Sequence, residues 1–314
     1  MNTKKEFTEE LVKTVNSLMG NGYRAEICYV EKVNAGRLAA LVILSAGNCI
    51  SPNFYIDELY NSYRNRKTAL DETAKNIINT YYNNTYAFKE SCSIKDYIND
   101  REWVEKRLFL QLINTSKNKG LLKDSLYMDF KGISLVLCIM VMDNNKGFCK
   151  IRVTKAMCQD FGWNRKEILD YALKNTARLF PYHISTLCGV LQELLNNKDA
   201  DGLELCPGDD SMMVLTNERQ FNGAAAIFYP GVLKGISEKH GTSLFLIPSS
   251  IHEFIIIKDN GIYDPVSLED MLREVNSSSV LPDEILADNI YYYGYNTGML
   301  SVVNNGMFEE ICCL

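Results

Sequence analysis

Histidine is scarce, with three in 314 residues (His183, His240 and His252), so any mechanism that needs an imidazole must draw on one of those three. The ten cysteines show no C-x-x-C spacing and no histidine cluster beside them, which excludes a local zinc motif and a disulfide framework. Cys28, Cys138, Cys149 and Cys188 fall inside apolar stretches and read as reduced core residues. There is no phosphate-cradling glycine loop, zincin motif, nucleophile elbow or kinase signature, and the enzyme classes that announce themselves locally are therefore set aside. No metal and no cofactor is expected.

Long hydrophobic runs are also missing. The longest, Ile133 to Met142, is interrupted only by Ser134 and falls well short of the roughly 18 residues a spanning helix needs. Met1 to Leu11 carries no apolar signal core and reads as the start of a helix. The tail Ile311-Cys312-Cys313-Leu314 has isoleucine where prenylation requires cysteine. A cytoplasmic protein without a membrane segment is the expectation, and the sequons at Asn83, Asn114 and Asn276 are expected to stay unused. With 33 basic against 39 acidic residues the formal charge is −6, which favours solubility and argues against a general binder of nucleic acid.

Hydrophobic residues make up 46% and charged residues 23%, ordinary values for a chain that buries a core. The length allows two packed lobes or one large domain. Leu11, Val12, Val15, Leu18 and Met19 share a helical face, stopped by Gly20 and Gly22. Tyr23–Val33, Leu38–Leu44 and Cys49–Ile56 then read as an antiparallel meander. Helices follow over Asp57–Tyr63, Thr68–Tyr82 and Asp100–Leu112, the last on the spacing of Val104, Leu108 and Leu112. Polar Lys117-Asn118-Lys119-Gly120 marks the best interior boundary, dividing a lobe of residues 1–120 from one of residues 121–314.

In the second lobe, Leu126–Met142 and Gly147–Thr154 read as a long hairpin. Asn164 and Glu167 form a capping box, framed by Trp163 and Ile168 as a hydrophobic staple, for a helix over Arg165–Leu179. A helix over Ile184–Leu195 follows Pro181, then a polar loop over Asn196–Asp210. Strands Met212–Leu215, Ser243–Ile247 and His252–Ile257 surround a helix between Pro230 and Gly241. Ser267 is expected to cap a short helix, and Ile290–Tyr295 to pair with Leu300–Val303. Meanders and hairpins with helices grouped between them predict an α+β fold with antiparallel sheets.

Three clusters offer chemistry. Ser249, Ser250, His252 and Glu253 bring two hydroxyls, an imidazole and a carboxylate within five positions, the residue types of a nucleophile and its base. With His252 in a strand, however, Glu253 points to the opposite face, and serine hydroxyls that satisfy backbone groups in a turn are the preferred reading. His240 precedes Gly241 at a helix end, where it complements the dipole. Arg64, Arg66 and Lys67 with Tyr60 and Tyr63 form a basic and aromatic cluster that suits a phosphate backbone, against the plainer reading of a solvated helix terminus. Tyr291, Tyr293 and Tyr295 share one strand face, to be buried together in the core or exposed together as a partner surface.

The phrase Tyr229-Pro230-Gly231-Val232-Leu233, followed by Pro248-Ser249-Ser250-Ile251-His252-Glu253, resembles a domain-of-unknown-function family of clostridial gut bacteria. That resemblance implies no reaction, ligand or partner, and carries no functional residue over. The leading expectation is a noncatalytic intracellular binding or regulatory protein, with an unidentified protein or small molecule as partner. The alternatives are a small-molecule or nucleotide hydrolase using the Ser249–Glu253 turn, and a nucleic-acid-binding module using Arg64, Arg66 and Lys67.

Overall fold

The computed structural model describes residues 3–45, 51–65, 67–88, 97–144, 147–187, 189 and 212–311. The fold is α+β with three antiparallel sheets. The chain divides into two units, Met1–Val104 with Val141–Cys149, and Glu105–Met140 with Lys150–Leu314. No helix among the described residues is long and apolar enough to cross a membrane.

The first unit opens with α1 (Lys4–Met19), where the Thr3 hydroxyl accepts the Glu6 N–H at 3.2 Å and left-handed Gly20 ends the helix. Strands β1 (Tyr23–Lys32) and β2 (Gly36–Ser45) form a hairpin whose turn holds Asn34 at a φ of 59°. The third strand, β3, is confined to Phe54–Tyr55, shorter than the Cys49–Ile56 strand expected, part of which lies outside the described residues. Helices α2 (Ile56–Arg64) and α3 (Leu70–Phe88) complete the layer. Phe7, Leu11 and Val15 of α1 and Ala74, Ile77 and Tyr81 of α3 meet Ala25, Leu41 and Ile43 of the hairpin in one core. Apolar residues three and four apart thus find the one face of the sheet that alternation leaves apolar.

Where four-residue spacing predicts one helix over Asp100–Leu112, the structure has a single short helix α4 (Arg101–Glu105) and then strand β4 (Leu108–Asn114). Every residue of β4 is buried. A strand covered on both faces shows no alternation, so its apolar run also satisfies a helical template. Lys117–Gly120, expected between lobes, lies inside the second unit: a 3-10 turn with buried Asn118 leads into α5 (Lys119–Leu122), and the Asn118 amide donates to the Asn114 carbonyl at 2.7 Å.

Strands β5 (Tyr127–Asp129) and β7 (Gly147–Arg152) join β4 around the long β6 (Ile133–Asn144), which pairs with all three. After α6 (Lys155–Asp160), helix α7 (Arg165–Leu179) starts on Asn164, whose side-chain oxygen accepts the N–H groups of Lys166 and Glu167. Two polar residues inside α7 face β4. Asn175 donates to the Leu108 carbonyl at 2.6 Å, and the Thr176 hydroxyl accepts the Leu110 N–H at 2.9 Å. They satisfy the backbone of an edge strand that would otherwise be buried unpaired.

The largest sheet runs β14-β13-β12-β10-β11-β9-β8, with β8 Tyr182–Thr186, β9 Met212–Asn217, β10 Leu244–Ser250, β11 Glu253–Lys258, β12 Ile290–Tyr293, β13 Leu300–Asn304 and β14 Met307–Glu310. The start of the helix expected over Ile184–Leu195 is instead strand β8, which finds a partner in β9; the loop expected over Asn196–Asp210 lies outside the described residues. Helix α8 (Val232–His240) ends on left-handed Gly241, and α9 (Pro265–Ser278) packs Leu268 and Leu272 with Phe245, Ile257 and Ile290. The cap of α9 is Asp264 and not Ser267: its carboxylate accepts the backbone N–H and the hydroxyl of Ser267 at 3.0 Å each, with Pro265 in the first turn.

Candidate functional site

The Ser249–Glu253 cluster is a tight turn between β10 and β11. Pro248 pairs with Phe254 and Ser250 with Glu253, so the register shifts at a bulge that holds Ser249. His252 stands in the turn and not in the strand, since β11 begins at Glu253. Its ring Nδ1 accepts the Asn222 N–H at 3.0 Å, and its Nε2 lies 3.7 Å from a Glu284 carboxylate oxygen. Accepting at Nδ1 leaves the ring hydrogen of the neutral form on Nε2.

Its backbone is committed as well. The His252 N–H goes to the Ser250 hydroxyl at 3.0 Å, and its carbonyl accepts the Thr216 hydroxyl at 2.8 Å. Ser249 donates to Glu253 at 3.3 Å. The four residues do come together, but no hydrogen bond joins the imidazole to either serine, so a nucleophile and base are not assembled. A polar chain runs on behind the turn: Asn222 accepts from the Gln111 amide at 3.0 Å, and Gln111 accepts from Lys150. Burial lowers the Lys150 pKa. The members of this chain are far apart in sequence, and only His252 carried a signal there.

The tyrosines separate. Tyr291 is fully buried and donates to the Lys131 carbonyl at 3.2 Å, Tyr293 is partly buried, and Tyr295 is exposed. The expectation that they are buried or exposed together fails because β12 ends at Tyr293, and the turn after Gly294 takes Tyr295 out of the alternation. The basic cluster separates too. Arg64 and Lys67 are exposed, Arg66 lies outside the described residues, and Tyr60 and Tyr63 turn inward to place their rings 5.5 and 4.9 Å from Phe7. The two aromatics complete the core stripe of α2, so no stacking platform accompanies the cations.

What remains open is the turn Tyr229-Pro230-Gly231-Val232. The Val232 N–H reaches the Tyr229 carbonyl at 3.1 Å, with proline second and left-handed Gly231 third, a type II turn that launches α8. Two cavities flank it. One, of about 600 Å³, lies between α8 and the edge strand β8, with Tyr182, Ser185, Thr186, Gly235, Lys239 and His240 in its wall. The other, of about 300 Å³, is mainly apolar and is walled by Tyr229, Leu233 and Lys234 with residues of α7, β12 and β13. Both include Pro230 and Gly231. Pro230 marks a helix start in the sequence, whereas the cavities depend on what packs beside α8 and leave no local signal.

Among the described residues, no group of three or more His, Cys, Asp or Glu is placed to hold a metal ion. Comparison with the curated proteins and with the solved structures finds no match in either. The model of a family of unknown function, DUF5688, matches residues 4–294, a span that includes both turns, and the chain belongs to that family.

Proposed function

We propose that this chain is a noncatalytic intracellular binding protein, and that it binds small molecules beside α8. One observation carries the reading: a single rigid turn, Tyr229–Val232, divides two cavities of about 600 and 300 Å³, sizes at which small-molecule sites are found. The commitments of His252 support it, since its turn is tied to Asn222, Ser250 and Thr216. Cys28, Cys138, Cys149 and Cys158 are unpaired, which suits a reducing compartment.

The test is a thermal-shift screen of a metabolite panel on the full chain, with native mass spectrometry of the purified protein for retained molecules. A ligand that binds only the folded chain raises its melting temperature with concentration. A Cβ at Gly235 would meet nothing within 4 Å, so Gly235→Phe extends into the larger cavity and should abolish shifts that arise there. Turnover of an ester or nucleotide that disappears in a folded His252→Ala variant would overturn the reading in favour of a hydrolase.

A further inference from the structure

Tyr229 and Lys234 line the smaller cavity beside the first turn of α8. Tyr229 is 4% exposed, and its phenol has no hydrogen-bond partner among the described residues. Buried hydroxyls of tyrosine nearly always find an acceptor, and Tyr229 lines the cavity, so its open hydroxyl is available to a group bound there. Burial pushes the Tyr229 pKa up, keeping the phenol protonated as a donor at neutral pH.

The second observation is the helix that follows. Gly231 gives α8 no side-chain cap, and no acidic residue stands in its first turn. The Val232 and Gly235 N–H groups are taken by the carbonyls of Tyr229 and Gly231, whereas those of Leu233 and Lys234 have no partner among the described residues. Unbonded N–H groups at the positive end of a helix favour an anion. Lys234 adds a cation whose one ion pair among the described residues, to Glu238 at 3.7 Å, is solvent-exposed and therefore exchanged at little cost. Among the described residues, no carboxylate side chain lines this cavity.

The rest of the wall is Phe130, Leu173, Ile227, Phe228, Leu300 and Ile311, with Tyr293. An apolar chamber bordered by unpaired donors suits a ligand with an apolar body and an acceptor head. The apolar wall can bury the body of an organic acid but not the remaining charge of inorganic phosphate. We propose that this cavity binds a small monocarboxylate with an acyl or aryl body, its head held by the Tyr229 hydroxyl and the first turn of α8 and its body among Phe130, Leu173, Ile227 and Leu300. The proposal rests on the binding reading above and names the chemistry of one of its two cavities.

The experiment is calorimetric titration of the full chain with octanoate, with its neutral counterpart octanamide, and with inorganic phosphate. Octanoate should bind at least about tenfold more tightly than octanamide, a difference of about 1.4 kcal/mol. Tyr229→Phe should weaken octanoate by about tenfold and leave octanamide nearly unchanged. Equal binding of acid and amide, or indifference of octanoate to Tyr229→Phe in a folded variant, overturns the proposal; displacement of octanoate by phosphate does so in favour of a plain anion site. If neither acid nor amide binds while another compound gives a shift lost in Gly235→Phe, the monocarboxylate proposal falls and the binding reading stands. If no compound binds at all, both fall.

Discussion

Two turns in the same unit use similar residue types to opposite ends. At Ser249–Glu253, each polar group that the sequence brings together is answered inside the protein: Nδ1 of His252 by Asn222, its N–H by Ser250, its carbonyl by Thr216, and the Ser249 hydroxyl by Glu253. At Tyr229–Lys234, a buried phenol and two helix N–H groups are answered by nothing among the described residues, beside a cavity. The first turn has the residues of a catalytic site and the bonding of a structural latch. The second has the residues of a plain Pro-Gly turn and the unspent donors of a binding site. Reactive residue types in sequence are therefore a weaker guide than polar groups left unsatisfied in the fold.

The contrast predicts unequal costs. Gly223 sits under the latch, and a Cβ there would stand 2.5 Å from the Asn217 nitrogen and 2.7 Å from the His252 carbonyl oxygen, and against the Thr216 hydroxyl. Backbone atoms held by the Thr216–His252 bond cannot step aside cheaply, so Gly223→Ala should cost about 3 kcal/mol in urea denaturation, at the upper end for overpacking. His252→Ala removes the acceptor of the Asn222 N–H and should cost about 2 kcal/mol. A His252→Ala variant that keeps wild-type stability would show that the turn is not a latch, and would return the residue to the hydrolase reading.

A smaller effect separates the two buried tyrosines. Tyr291 donates to the Lys131 carbonyl, so Tyr291→Phe should cost about 1 kcal/mol at neutral pH. Burial raises the Tyr291 pKa in the folded state. The unfolded chain therefore releases that proton first, and the stability it confers is complete below pH of about 10 and lost as pH rises beyond it. Denaturation series from neutral to alkaline pH should show a shallower alkaline loss in Tyr291→Phe than in the wild type; an unchanged slope would place the alkaline weakness elsewhere.

Legibility in the sequence follows how local each cause is. The Asn164 cap of α7 and most of the stripe of α1 are set by residues within a few positions, and the structure has them where spacing predicts, Leu18 being the member of that stripe left exposed. Spacing predicts helix at β4 because burial on both faces erases alternation, and at β8 because that strand is fixed by β9, some thirty residues on. The site divides the same way. Ser250 accepting a backbone N–H two residues away is the kind of local bond that serines in turns make. The acceptance of Asn222 by His252, the inward rotation of Tyr60 and Tyr63 and the cavity before Tyr229 each depend on an element distant in sequence.

The smallest predicted effect bears hardest on the comparison. Because the Tyr229 hydroxyl has no hydrogen-bond partner among the described residues, Tyr229→Phe should leave the unliganded chain within about 0.5 kcal/mol of wild type, whereas Tyr291→Phe, a deletion of the same atom from another buried ring, does not. The pair holds chemistry and volume change constant and varies only whether the hydroxyl has a partner. Equal losses in the two variants would mean that the Tyr229 phenol is satisfied within the folded chain, and the distinction between an occupied and an open turn would dissolve. A loss at Tyr291 alone, in denaturation curves of equal slope, would identify Tyr229 as a donor that folding does not use.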